Sequence, residues 1–176
     1  MTEEQVYTVI EKFGNIELRA YDPCMIAEIS VEGTFEGAGS RAFRPLVSFI
    51  GGGNRTGQKV AMTAPVLQDV PDGRSDGSEY VVSFVMPAGS TRADMPDPTD
   101  TRVALRAVPA HKAVAIRFSG RWTKLSFDEN LTALETAATE HGFTLAGDPR
   151  LARYDPPWTP WFMRRNEVVW TIAVDE

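Results

Sequence analysis

Apolar and polar residues alternate in short runs along most of this chain, the period-two pattern of half-buried strands. Residues 7–10 and 16–21 alternate on either side of Gly14-Asn15, which predicts a hairpin. Residues 25–32 alternate as well, through Met25, Ala27, Ile29 and Val31. The period then changes. After a glycine-rich turn over residues 33–39, Ser40 is placed to cap a helix whose apolar stripe is Phe43, Leu46, Val47 and Ile50. Pro45 lies near the start of that helix and Gly51-Gly52-Gly53 ends it. Residues 60–67 read as extended, with Pro65 marking an edge or a bulge. Pro71-Asp72-Gly73 and Asp76-Gly77 predict a hairpin loop, and residues 80–86 the next strand. Residues 88–101 are rich in breakers and read as a connection.

The second half repeats this order. Residues 103–108 and 113–118 read as strands, and Ser126-Phe127-Asp128-Glu129 as a capping box. A helix follows on Phe127, Leu131, Leu134 and Ala138, with Gly142 as its C′ residue. Residues 143–154 are extended or irregular and 168–174 form the last strand. The two halves also match in detail. Residues 103–108 (V-A-L-R-A-V) lie 87 positions after residues 16–21 (I-E-L-R-A-Y). At that offset Ile29 meets Ile116, Gly33 meets Gly120, and Val81-Val82 meet Val168-Val169. A fixed offset predicts duplication: halves of about 7–87 and 102–176 within a single domain spanning 1–176. A seam between such halves is a natural ligand groove. The expected class is α+β, an antiparallel sheet curled into a distorted β-barrel of two pseudo-symmetric halves with two flanking helices.

Composition narrows the partners. A net charge of −6 argues against a nucleic-acid binder, which needs a basic face to displace counterions. Cys24 is the single cysteine, so no intramolecular disulfide can form. No apolar run approaches the roughly 20 residues of a spanning helix. The start, M-T-E-E-Q-V, lacks the basic and apolar regions of a signal peptide, so a soluble, cytoplasmic protein is expected.

Five segments carry a more specific signature. They are I-E-L-R-A-Y at 16–21, K-V-A-M-T-A-P-V at 59–66, F-S-G at 118–120, Y-D-P-P at 154–157 and R-R-N-E-V at 164–168. Together and in this order they resemble the SOUL family of haem-binding proteins. The resemblance implies the two-half barrel with two helices. It also implies non-covalent binding of haem or another tetrapyrrole, as a carrier, buffer or sensor without catalytic turnover. The family's tetrapyrrole surface maps here to residues 40–50, to Met62 and to residues 158–162. Some members carry a histidine, proposed as an axial ligand, between the Arg and Tyr of the first motif; this chain has Ala20 there.

A porphyrin needs a flat apolar slot and cations for its two propionates. Leu46, Val47, Ile50, Met62, Trp158 and Trp161 are the candidates for the slot, and Arg41 and Arg44 for the cations. A 3.6-period stripe ordinarily faces the interior, so Leu46, Val47 and Ile50 read first as core. The two imidazoles available to iron are His111, just before the 113–118 strand, and His141, at the end of the second helix. There is no Cys-x-x-Cys-His for covalent haem attachment, and no P-loop, nucleophile elbow or His-Glu-x-x-His. Glu167 is expected to form an internal ion pair with an arginine that pins the last strand. A second reading comes from bacterial effector-binding domains, which the two-half architecture also resembles. It places an apolar small molecule, bound or hydrolysed, in the inter-half groove, with Glu28, Glu32 and Glu167 as the acidic candidates.

Overall fold

The computed structural model describes residues 2–71 and 79–174. Chain order is β1 (Glu3–Glu4), β2 (Tyr7–Phe13), β3 (Ile16–Tyr21), β4 (Cys24–Glu32), α1 (Phe35–Ile50), β5 (Thr63–Ala64), β6 (Val66–Asp69) and β7 (Glu79–Val85). It continues with β8 (Ala104–Val108), β9 (His111–Phe118), α2 (Lys124–Glu140), β10 (Arg150–Arg153) and β11 (Asn166–Thr171). The Asp72-Gly73 and Asp76-Gly77 turn lies outside the described residues.

Nine strands form one antiparallel sheet in the order β2-β3-β9-β11-β10-β6-β7-β4-β8, and β1 pairs with β5 in a separate parallel ladder. Among the described residues the large ladder therefore ends at β2 on one side and β8 on the other. Alternation along the strands sends residues to two faces. One face and both helices enclose the main core, where Leu46, Phe49, Phe84, Phe127, Leu134 and Leu151 are buried. The opposite face carries a smaller cluster around Tyr21, Ile26, Leu67, Val85 and Val169. α1 lies on β4 and β7, and α2 on β9 and β11.

Both helices begin earlier than their apolar stripes suggest. α1 starts at Phe35, because the Thr34 hydroxyl accepts from the Gly37 amide at 3.0 Å. The glycine-rich stretch 35–39 is thus helix, not turn, and Pro45 falls inside the helix instead of near its start. Tertiary packing outweighs propensity here: Phe35, Ala38, Gly39 and Ala42 are all buried. α2 is capped by Thr123, whose hydroxyl accepts from the Ser126 amide, so Ser126 sits one turn inside the helix. The expected stripe of Phe127, Leu131, Leu134 and Ala138 is the buried one. The two helix starts touch: the Lys124 amide donates to Glu36 Oε1 at 2.9 Å. The expected 60–67 segment divides into β5 and β6, and the last strand runs over 166–171 rather than 168–174.

Candidate functional site

The most polar buried feature lies on the face away from the helices. β3 places Arg19 (2% exposed) opposite Glu167 (0%) of β11, reached across the intervening β9. Arg19 donates to both Glu167 oxygens, at 2.7 and 2.6 Å, and to the Tyr21 hydroxyl at 3.0 Å. Its guanidinium also lies 4.1 Å from the centre of the Tyr7 ring. Arg165 adds a longer contact to Glu167 at 3.3 Å, donates to the Tyr7 hydroxyl at 2.9 Å and stacks on Tyr154. Burial by itself would raise the Glu167 carboxyl, but the Arg19 hydrogen bonds, with the charges of Arg19 and Arg165, hold it below the ordinary glutamate value. A carboxylate neutralised on both oxygens is a structural clamp, as expected for Glu167. It is not a free acid or base.

The other acidic candidates are also accounted for. Glu28 pairs with Arg106 at 3.0 Å, and Glu32 is exposed, its carbonyl accepting from Arg41 at 3.1 Å. Neither predicted imidazole offers a free nitrogen lone pair inside a cavity. His111 donates from Nδ1 to the Pro109 carbonyl at 2.9 Å, which leaves Nε2 to accept from Arg150 at 3.3 Å, and its ring lies parallel to Tyr21 at 5.1 Å. Burial, with the Arg150 charge, keeps it below the ordinary histidine value. His141 is the exposed C-cap of α2, stacked on Phe13 at 4.0 Å. No group of three or more His, Cys, Asp or Glu side chains suited to a metal occurs among the described residues.

The helix face builds a different surface. Leu46 (0%) and Ile50 (7%) are core residues on the sheet side of α1 and can support a ligand only from beneath. Val47 is half-buried against that core, while Arg41 and Arg44 are exposed. Phe43, half exposed, is the aromatic that α1 presents outward, its ring 6.1 Å from Phe84. Met62 is 38% exposed. The proline-rich segment before β11 holds four large apolar side chains in water: Trp158 (83%), Trp161 (53%), Phe162 (61%) and Met163 (66%).

Arg164 of the R-R-N-E-V motif and two residues the sequence did not mark, Trp122 and Arg153, tie this segment to α1. Arg164 donates to the carbonyls of Thr159 (2.9 Å) and Pro157 (2.7 Å), fixing the loop, and stacks on Trp122 at 4.2 Å. Arg153, at the end of β10, lies over the same indole at 5.3 Å. Its guanidinium fills the space beside Gly39, where an added Cβ would collide with it. Among the described residues Arg153 makes no ion pair, only a 3.4 Å hydrogen bond to Gln68 Oε1, and burial pulls it down to about 10. A largely buried cation without a counter-charge is costly to keep. It is also a ready anion anchor.

This fold, with an exposed aromatic loop and, among the described residues, a cation without a carboxylate partner beside its first helix, defines a class of small α+β domains. The profile of the SOUL heme-binding protein family matches residues 2–171, so the chain belongs to that family. It is 30% identical over 169 residues to Heme-binding protein 2 of Homo sapiens, covering 93% of this chain and 80% of that protein. In three dimensions it is similar to the C-terminal domain of EcmrR (TM-score 0.66, 15% identity, 96% of this chain and 98% of that one). It is also similar to a hydrolase from Listeria innocua (TM-score 0.61, 11% identity, 93% and 94% covered). At those identities the two structures share the fold alone. No described helix is long and apolar enough to cross a membrane.

Proposed function

We propose that the protein binds haem or a related tetrapyrrole non-covalently, as a carrier, buffer or sensor, on the flank of α1 that faces residues 154–165. The observation that carries this is Arg153: a desolvated guanidinium with no carboxylate among its described neighbours, sharing the Trp122 ring with Arg164, which fixes the loop that holds four exposed apolar side chains. The residues present fit the group. Phe43, Val47, Met62, Trp158 and Trp161 supply apolar area for a flat macrocycle. Arg153, with Arg41 and Arg44 nearer the solvent, supplies cations for propionates. The haem relative's name and the family's description support the same reading. With His111 and His141 engaged elsewhere, apolar burial and carboxylate pairing hold the ligand without a histidine on the iron.

The frame for this surface is a distorted barrel of two duplicated halves. From β3 to β8 the strand order is a palindrome under the 87-residue offset, β3-β9-β11-β10 answering β8-β4-β7-β6, which supports duplication. The reading that puts an apolar molecule in the inter-half groove has less support, since Glu167 is sealed and Glu28 is paired.

Hemin titration tests the proposal. One equivalent should shift the Soret band, and iron-free protoporphyrin should bind about as well. Trp158→Ala with Trp161→Ala should weaken hemin by about tenfold while far-UV circular dichroism stays unchanged, since each indole contributes large apolar contact area. Equal affinity in the double variant sinks the surface.

A further inference from the structure

We propose that the cavity on the helix-free face of the sheet is a second binding site, and that it takes a small organic monocarboxylate through Arg150. The cavity holds about 270 Å3 and is walled by residues from β4, β6, β7, β8, β9, β10 and β11. That is just under the roughly 300–1,000 Å3 of pockets for drug-sized ligands, so its occupant is of benzoate size. Ile26, Leu67 and Val108 line it with apolar surface.

Arg150 is held in place by neutral groups. It donates to Thr171 Oγ1 at 3.3 Å and to His111 Nε2 at 3.3 Å, and its guanidinium lies 5.7 Å from the centre of the Tyr21 ring. His111 is in turn locked by the Pro109 carbonyl and by Tyr21. A guanidinium carries five N–H donors, and these contacts use two of them without neutralising the charge. Among the described residues no carboxylate lies within ion-pair distance of Arg150. Asp69 sits directly across the ladder, yet the two form no such pair. The wall's other cation, Arg106, is already taken by Glu28 in a two-bond contact. The arrangement thus presents one oriented, unneutralised guanidinium above an apolar floor, the complement of a carboxylate with a hydrocarbon body. Asp69, whose carboxyl burial pushes up, is the wall group that opposes an anion.

The test is an amide NMR titration of the full chain with benzoate, benzamide and benzylammonium. Benzoate should give saturable shifts in β9, β10 and β11, and benzamide should bind about tenfold more weakly, having lost the charge-assisted bonds. Arg150→Gln should abolish the benzoate shifts. Asp69→Asn, which removes only the opposing charge, should tighten benzoate severalfold. Tighter binding of benzylammonium than of benzoate overturns the proposal. So does unchanged benzoate binding in a folded Arg150→Gln protein. If that variant does not fold, Asp69→Asn decides alone, and equal or weaker benzoate binding there overturns the proposal.

Discussion

Single side chains set the character of both faces. The Arg19–Glu167 pair is buried on both sides; Glu17 also touches Arg19 at 2.8 Å and Arg165 touches Glu167 at 3.3 Å, but removing one partner still leaves a buried charge without its two-bond contact. Glu167→Gln should cost about 3–5 kcal/mol at pH 7, whereas Arg19→Met combined with Glu167→Leu should recover much of that loss. The sign with pH follows from the lowered carboxyl. Its contribution is complete above the ordinary glutamate value of about 4.3 and disappears only as pH falls through the lower folded value. Urea unfolding at pH 7 and at pH 3 should therefore show the variant's deficit shrinking in acid. Arg153 behaves in the opposite way. Arg153→Met should leave the ligand-free protein as stable or more so, by removing an unneutralised cation. It should also weaken hemin by about tenfold, the loss of one charge-assisted contact. Lower stability together with full hemin affinity would show a structural role only. That Glu167 pairs with an arginine was legible in the sequence, because an acidic residue between arginines and an apolar strand needs a partner; that the main partner is Arg19, 148 residues away, was not. Arg153 was not. Nothing in L-A-R-Y marks it, and its significance appears only once the fold has placed no carboxylate near it among the described residues.

At the scale of elements, the apolar periods located both helices and the strands around them, and the caps were misplaced. Ser40 and Ser126 looked like starts because glycines 37 and 39, or a polar turn, precede the stripes. The chain instead uses Thr34 and Thr123. Gly39 is tolerated inside α1 because the Arg153 guanidinium occupies the room of a side chain, a reason no local pattern contains. Thr34→Ala and Thr123→Ala should each cost about 1 kcal/mol, and Ser40→Ala close to nothing. Thermal melts of the three variants distinguish these caps from the ones the stripes suggest. The loop before β11 was picked out by its paired tryptophans, but the Arg164 bonds to its carbonyls that fix it were invisible until the backbone was seen.

Across the whole molecule, the strands before residue 100 and those after it, the two proposed halves, share one sheet. They join where β10 pairs with β6 over Arg150–Arg153 and Val66–Asp69, and again where β3 pairs with β9 and β4 with β8. All four tryptophans lie beyond residue 121, so indole emission reports the second half while far-UV circular dichroism reports both. The two signals should give one coincident urea midpoint, the mark of a single cooperative unit. Separate midpoints would mean that the halves unfold independently.

The clamp between β3 and β11 joins positions 148 residues apart. On a growing chain Arg19 emerges beside Glu17, its partner at 2.8 Å on the same strand, and 148 residues before Glu167. Until Glu167 is made, Glu17 is the carboxylate Arg19 has on its own strand, and keeping that pair in contact with water is far cheaper than burying it without the two-bond contact. The helix-free face of the early strands should therefore stay open on the ribosome until Glu167 completes the clamp.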